Sequence, residues 1–221
     1  MHYFNIHRHS PAKDLEETAI INIFPGQDVF GEYLYSIGIH PWHIKQSLLK
    51  EDIDHLLKKS VSPLVLAIGE CGLDRACDVS FDLQLQVFRA QSKIAETLKK
   101  PLIIHSVRAY PELISEKKTC RTNIPWIIHG FRGNQETASQ LLNHGFYLSF
   151  GEALMNARGV SEILASVPGT RYFLETDESD IGIHEIYGRA ATILNTDIDS
   201  IILQQWKNAV SLNLFGVSLV E

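Results

Sequence analysis

The sequence predicts an α/β protein, a (β/α)8 barrel of the TIM type trimmed in its first two βα connections, and three observations carry that prediction. Eight short β-branched, aromatic or otherwise apolar runs recur along the 221 residues. From Pro41 onward they alternate with segments of helical periodicity, the signature of βαβ units and a parallel sheet. No internal repeat, low-complexity stretch or long Pro/Gly/Ser linker interrupts them, so one domain over residues 1–221 is expected. A doubly wound sheet shares the alternation, and topology alone leaves that choice open.

The expected strands are Tyr3 to Ile6, Ala19 to Phe24, Tyr33 to Ile39, Leu64 to Ile68, Leu102 to Ile104, Trp126 to Ile128, Phe146 to Phe150 and Tyr172 to Leu174. Several are apolar throughout, as strands covered on both faces are. Residues 10 to 17 and 25 to 31 separate the first three runs, and a crossover normally needs at least about 10 to 12 residues. Short loops or single turns are therefore expected there, leaving that side of the barrel more open. The clearest helix covers about Phe81 to Lys100, with Phe81, Leu85, Phe88 and Ala95 at helical intervals and Pro101 ending it. Residues 45 to 59, 134 to 143 and 198 to 213 also read as helices, and 108 to 117, 155 to 166 and 185 to 195 carry weaker patterns.

Composition bounds the function. Twenty-six acidic and 20 basic side chains give a net charge of −6, and the 45% hydrophobic and 21% charged content is that of an ordinary globular protein, which excludes collagen-like, coiled-coil and disordered classes. No apolar run approaches the roughly 20 residues that span a bilayer, and MHYFNIHRHS lacks a signal peptide's apolar centre, so a cytoplasmic protein without a membrane partner is expected. Cys71, Cys77 and Cys120 show no C-x-x-C spacing and suggest neither a disulfide framework nor a cysteine zinc site. The acidity argues against gripping long duplex nucleic acid. A nucleic-acid substrate fits only where a local centre, such as a metal, supplies positive charge. No obligate protein partner is indicated.

The polar residues that follow the apolar runs are informative. His7 and His9 end the first run, His40 the third, Glu70 the fourth, His105 the fifth, His129 the sixth, and Glu175 with Asp177 the eighth. In a parallel α/β architecture all of these are C-terminal strand ends on the face that carries active sites. A single histidine at such a position is at least as often a hydrogen-bonded structural residue. So many ligand-type residues at equivalent ends are not expected by chance, and His7 and His9, two apart, point to one side of a strand. His2, His55, His144 and His184 read as surface residues, and His43 as a turn residue.

These residues resemble a family. Asn5-Ile6-His7-Arg8-His9, Ser36-Ile37-Gly38-Ile39-His40-Pro41, Ala67-Ile68-Gly69-Glu70-Cys71-Gly72-Leu73-Asp74, Pro101-Leu102-Ile103-Ile104-His105-Ser106, Ile128-His129-Gly130-Phe131-Arg132-Gly133 and Leu174-Glu175-Thr176-Asp177 are similar, in order, to the motifs of the TatD family of metal-dependent hydrolases, within the amidohydrolase-like TIM-barrel superfamily. The resemblance implies that His7, His9, Glu70, His105, His129 and Asp177 are metal ligands. It implies two divalent ions bridged by Glu70, one also held by His7, His9 and Asp177, the other by His105 and His129. Imidazole with carboxylate suits zinc, manganese, iron or, less well, magnesium. Two such ions lower the pKa of a bridging water to about 7 and orient a phosphate oxygen. Asp177 would accept that water's proton, which with Glu70 makes it the expected catalytic pair. His40 and Glu175 would support ligands or touch substrate, and Arg108 and Arg132 would contact phosphate.

The flanks depart from the family's pattern. Asn5 stands where Asp is usual, Arg108 is displaced by one position, Arg132 replaces a hydroxyl residue, and Glu178-Ser179 follow Thr176-Asp177 in place of a small residue and proline. The first expectation is a TatD-type phosphodiesterase, an exodeoxyribonuclease acting from a DNA or RNA end or on a small phosphodiester. The second is an amidohydrolase or deacylase acting on a small ester or amide with the same site, and the third a binding protein that keeps the barrel without turnover.

Overall fold

In the computed structural model, which describes residues 2–12, 15–120 and 123–215, eight strands follow one another through a single sheet in chain order. They are β1 (Tyr3–Arg8), β2 (Glu17–Ile23), β3 (Leu34–Ile37), β4 (Val65–Asp74), β5 (Leu102–Val107), β6 (Trp126–Ile128), β7 (Phe146–Phe150) and β8 (Tyr172–Leu174). The β3–β4, β4–β5 and β7–β8 pairs are parallel. Beyond β8, Asp177 forms a parallel bridge with Arg8, its N–H donating to the His7 carbonyl at 3.0 Å. The order thus returns to its first strand, the topology of a (β/α)8 barrel. Among the described residues no helix lies between β1 and β2 or between β2 and β3, as the short spacings require.

The chain divides into two compact units, Ile21–Ile127 and the remainder. Ile21–Ile127 holds α1 (Leu49–Ser60), α2 (Phe81–Leu98) and α3 (Tyr110–Thr119). Ser80 caps α2 by accepting from Leu83 N–H, and Lys99 ends it in a left-handed conformation (φ 54°) before Pro101. The buried face of α2 carries Val87, Phe88, Ile94 and Ala95, but also Gln84 and Gln91, seven residues apart on the same face. Gln91 accepts from Ile39 N–H (2.7 Å) and donates to Ile39 C=O (3.1 Å). Gln84 does the same at Asp74, with distances of 2.7 and 2.9 Å. Each amide stands in for a neighbouring strand where backbone groups would otherwise be buried unpaired. The residues so fixed adjoin or belong to the polar group described below.

The other unit holds α4 (Gln135–Asn143), α5 (Ala153–Asn156), α6 (Arg158–Ser166), α7 (Ile183–Leu194) and α8 (Ile198–Ser211). The same device recurs. Gln205 on α8 accepts from Leu174 N–H and donates to Tyr172 C=O, both at 3.2 Å. The buried Tyr187 hydroxyl on α7 donates to Phe4 C=O (2.8 Å) and accepts from Phe4 N–H (3.3 Å).

Two expectations change. The segment 155 to 166 is two helices, α5 and α6, with Ala157 extended between them (φ −110°, ψ 98°). The fourth strand runs on to Asp74, so Glu70 lies within a strand, as does His105 in β5. Gly69 and Gly72 carry this: a Cβ on either would run into the backbone of β5, at Ile103 or His105. Two glycines that suggest a loop allow close strand approach instead. No helix among the described residues is long and apolar enough to cross a membrane.

Candidate metal centre

Within the unit built on β1 and β8, His7 is fully buried on β1, and His9, two residues on and just past the strand's end, points to the same side. His7 Nε2 and His9 Nε2 lie 3.5 and 3.3 Å from the same oxygen, Asp177 Oδ1. Asp177 is turned inward by a left-handed backbone (φ 55°). His129, which follows β6, packs its ring 4.5 Å from that of His7, and His7, His129 and Asp177 each offer a ligand atom within 4.8 Å of the others. Burial pushes the Asp177 carboxyl upward, but hydrogen bonds from His7 and His9 outweigh it and hold the group well below the usual carboxylate range.

The surroundings fix these groups. Asn5, fully buried on β1, donates to Glu17 Oε1 (2.7 Å) and Thr176 Oγ1 (2.8 Å) and accepts from the N–H groups of His7 and Thr176. Glu17 also takes the Arg8 guanidinium at 2.7 Å. Glu175, 1% exposed, accepts from Gly130 N–H at 2.7 Å and lies 3.5 Å from His129 Nδ1.

Within Ile21–Ile127 a second group forms on β4 and β5. His105 Nδ1 and His40 Nε2 lie 3.0 and 3.2 Å from Glu70 Oε1, and the three residues offer ligand atoms within 4.8 Å of one another. Asn22 orients Glu70 by accepting from its N–H. His105 Nε2 lies 3.1 Å from Asp74 Oδ2, which also accepts from Trp42 Nε1–H at 2.6 Å. Asp74 is 2% exposed, and burial raises its pKa, yet the donors Trp42, Ala76 and His105 outweigh that and lower it.

Tautomers then separate the two histidines. With Nε2–H given to Asp74, His105 turns Nδ1 on a carboxylate oxygen 3.0 Å away, and were that nitrogen unprotonated the contact would join two acceptors. Two acceptors at that distance require a cation or a proton between them, so the donor set fits a divalent metal. His40 is the reverse case. Its Nδ1 accepts from Trp42 N–H (3.2 Å), so its Nε2 keeps the proton and donates to Glu70. His40 therefore orients the carboxylate; burial, opposed by Glu70, lowers its pKa and keeps the ring neutral.

The sequence profile of the family described as TatD related DNase matches residues 19–188. The chain belongs to the TatD family. A metal-dependent hydrolase of Bacillus subtilis, YabD, described as uncharacterized, is 31% identical over 168 residues, 73% of this chain and 66% of that protein. The 3'-5' ssDNA/RNA exonuclease TatD of Edwardsiella piscicida is 31% identical over 147 residues, covering 63% and 55%. The chain thus spans less than two thirds of the length of curated relatives such as these. The crystal structure of the TatD homologue YjjV from Escherichia coli superimposes with a TM-score of 0.78 over 95% of this chain and 97% of that one; at 18% identity the likeness is one of fold.

Of the positions expected from the TatD resemblance, His7, His9, His129 and Asp177 converge in one unit and Glu70 and His105 in the other. A cavity of about 750 Å3 opens beside His9 and Asp177, walled by Arg8, Glu178, Asp180 and His184. His184, read from sequence as a surface residue, is exposed and lines it. Arg132 and Glu175 line a smaller cavity of about 180 Å3 with Asp177. Arg108 is exposed in a left-handed conformation (φ 53°) after β5 and lines none of the cavities named here. An aspartate at position 5 could not donate to Glu17 as the Asn5 amide does. Asp74 and Trp42 were not singled out from sequence, although Asp74 stands four residues after Glu70, the spacing that shares a face once the strand continues.

Proposed function

We propose that this chain is a TatD-type, divalent-metal-dependent phosphodiesterase that removes nucleotides from a nucleic-acid end. The observation that carries the reading is the convergence of His7, His9 and His129 on Asp177, matched by the 3.0 Å approach of His105 Nδ1 to Glu70 Oε1. His7, His9 and Asp177 would hold one ion and Glu70 and His105 another; His129, which the resemblance assigns to the second ion, lies with His7 and Asp177 and would join the first, with zinc, manganese, iron or magnesium as the candidates. When bound, such ions supply positive charge against a phosphate and acidify water.

The chain's own residues do the rest. Asp177 is the ligand carboxylate that faces the large cavity, its side chain 41% exposed against 0% for His7, and it accepts the proton of attacking water. Glu175 and Asp74 hold His129 and His105 in orientation. Arg132 lines the smaller cavity, where it would contact a phosphate. The Edwardsiella relative's 3'-5' exonuclease description supports a single-stranded end as substrate. A cytoplasmic location belongs to the same proposal and accords with Cys71 and Cys77 standing as thiols.

Purified protein supplied with manganese, zinc or magnesium is expected to shorten an end-labelled single-stranded oligonucleotide, and His7→Ala to lose that activity. Activity on small esters or amides alone would overturn the reading in favour of a deacylase. No turnover of either class by metal-loaded protein would overturn it in favour of a binding protein.

A further inference from the structure

We propose that Trp42 is a stacking platform for an unpaired base of the substrate, a nucleobase subsite beside Glu70 and His105; this rests on the phosphodiesterase reading. Trp42 sits in the 3-10 turn Pro41–His43 and is 59% exposed. An indole held only by packing would be buried, and one left in water would be mobile. Trp42 is neither. Its Nε1–H donates at 2.6 Å to Asp74 Oδ2, a carboxylate 2% exposed. Its backbone N–H is taken by His40 Nδ1.

The neighbouring rings stand nearly perpendicular to it, His40 at 4.9 Å and 85° and His105 at 5.8 Å and 75°. Neither stacks in parallel on the indole, and the 59% exposure of Trp42 leaves surface for a ring that would. The row continues outward through His43, 5.6 Å from His40, to Phe24, 4.7 Å from His43.

This arrangement selects a flat π-system. Every base presents such a face, so the contact tolerates any sequence, and it needs no phosphate-binding cation. That suits a chain of net charge −6. Because the indole is already fixed, little side-chain freedom is lost on binding. The same Asp74 oxygen that holds Trp42 also holds His105, so a base on the indole is registered against a ligand residue.

The test compares wild type, Trp42→Leu and Trp42→Phe on two single-stranded oligonucleotides that differ only in whether the terminal residue bears a base or is abasic. Base–aromatic contacts of this kind set an expected rise in KM of roughly 5- to 100-fold for Trp42→Leu on the base-bearing end. The abasic end should show no such rise, and Trp42→Phe should recover most of the base-dependent KM because it keeps an aromatic face. Independently of turnover, and with the half-buried Trp206 replaced by Phe in every protein compared, deoxyadenosine monophosphate should quench tryptophan emission when Trp42 is present and not in Trp42→Leu; the remaining indole, Trp126, is 1% exposed and does not face solvent. Equal KM changes on both oligonucleotides, or quenching that survives Trp42→Leu, would overturn the subsite. If neither oligonucleotide is cut by wild type while Trp42-dependent quenching persists, the phosphodiesterase reading fails and the base site stands.

Discussion

Asp74→Asn changes one atom type at a point where three donors meet. Asp74 Oδ2 takes Trp42 Nε1–H at 2.6 Å and His105 Nε2 at 3.1 Å, and Oδ1 takes Ala76 N–H at 2.6 Å. An asparagine has one acceptor oxygen and one NH2 group. With its oxygen toward Trp42 and His105, the NH2 faces Ala76 N–H; turned around, it faces two donors. The first orientation is cheaper and sacrifices one hydrogen bond to a charged acceptor, about 1.5–3 kcal/mol in a site 2% exposed. At about 2–4 °C per kcal/mol for a chain of this size, the apo protein should melt roughly 3–12 °C lower.

The same change takes negative charge from the partner of His105 and makes its imidazole a weaker ligand. Loss of such a partner typically lowers metal affinity 10–100-fold, about 1.4–2.7 kcal/mol. Titration calorimetry with zinc or manganese and urea unfolding of the apo protein measure the two effects separately. Because the Asp74 pKa is lowered in the folded state, its stabilisation is complete above the ordinary value of 3.8 and lost as pH falls from there through the folded value. Asp74→Asn should therefore flatten the acid limb of apo stability. Metal affinity within twofold of wild type would refute the assignment of Asp74 as the group that orients His105.

Other outcomes follow from the same geometry. Gly72→Ala, whose Cβ would run into His105 backbone at φ +153°, should cost at least about 2 kcal/mol in urea unfolding, whereas Gly159→Ala, with nothing within 4 Å, should stay within about 0.5 kcal/mol. Gln91→Leu strands the N–H and C=O of Ile39 and should destabilise by about 2–4 kcal/mol, with no change in the number of ions bound. His40→Ala should bind as many ions as wild type by elemental analysis, with affinity lowered about tenfold; loss of a whole equivalent would overturn the tautomer argument. Removing metal with a chelator should lower Tm, and restoring an ion at 100 times its Kd should return about 2.7 kcal/mol.

Much of this was legible in the sequence because it is periodic or paired. The eight strands follow from apolar runs, the helix-free early connections from spacing too short for a crossover, and His7 with His9 from the two-residue repeat of a strand. What escaped was set by contacts remote in sequence. Gly69 and Gly72 look like a loop until β5 is beside them, which hid the continuation of β4 and with it the role of Asp74. Gln84 and Gln91 read as polar interruptions on an apolar helix face, and only the unpaired backbone of Asp74 and Ile39 explains them. That His40 supports Glu70 and does not serve as a ligand is expected from the resemblance; the direction of Trp42 N–H supplies the physical reason.

The segment between Asp177 and Ile183 is tied at both ends. Asp177 N–H is fastened to the His7 carbonyl, and α7 is fastened to β1 through the Tyr187 hydroxyl on both backbone groups of Phe4. Glu178, Ser179, Asp180, Ile181 and Gly182 lie between these posts and form one wall of the large cavity. Their identities can be exchanged without resetting the strand that carries His7 and His9. Evolution, or a protein engineer, can therefore treat the wall as a cassette, rewriting which molecules are admitted while the ligand set is inherited unchanged.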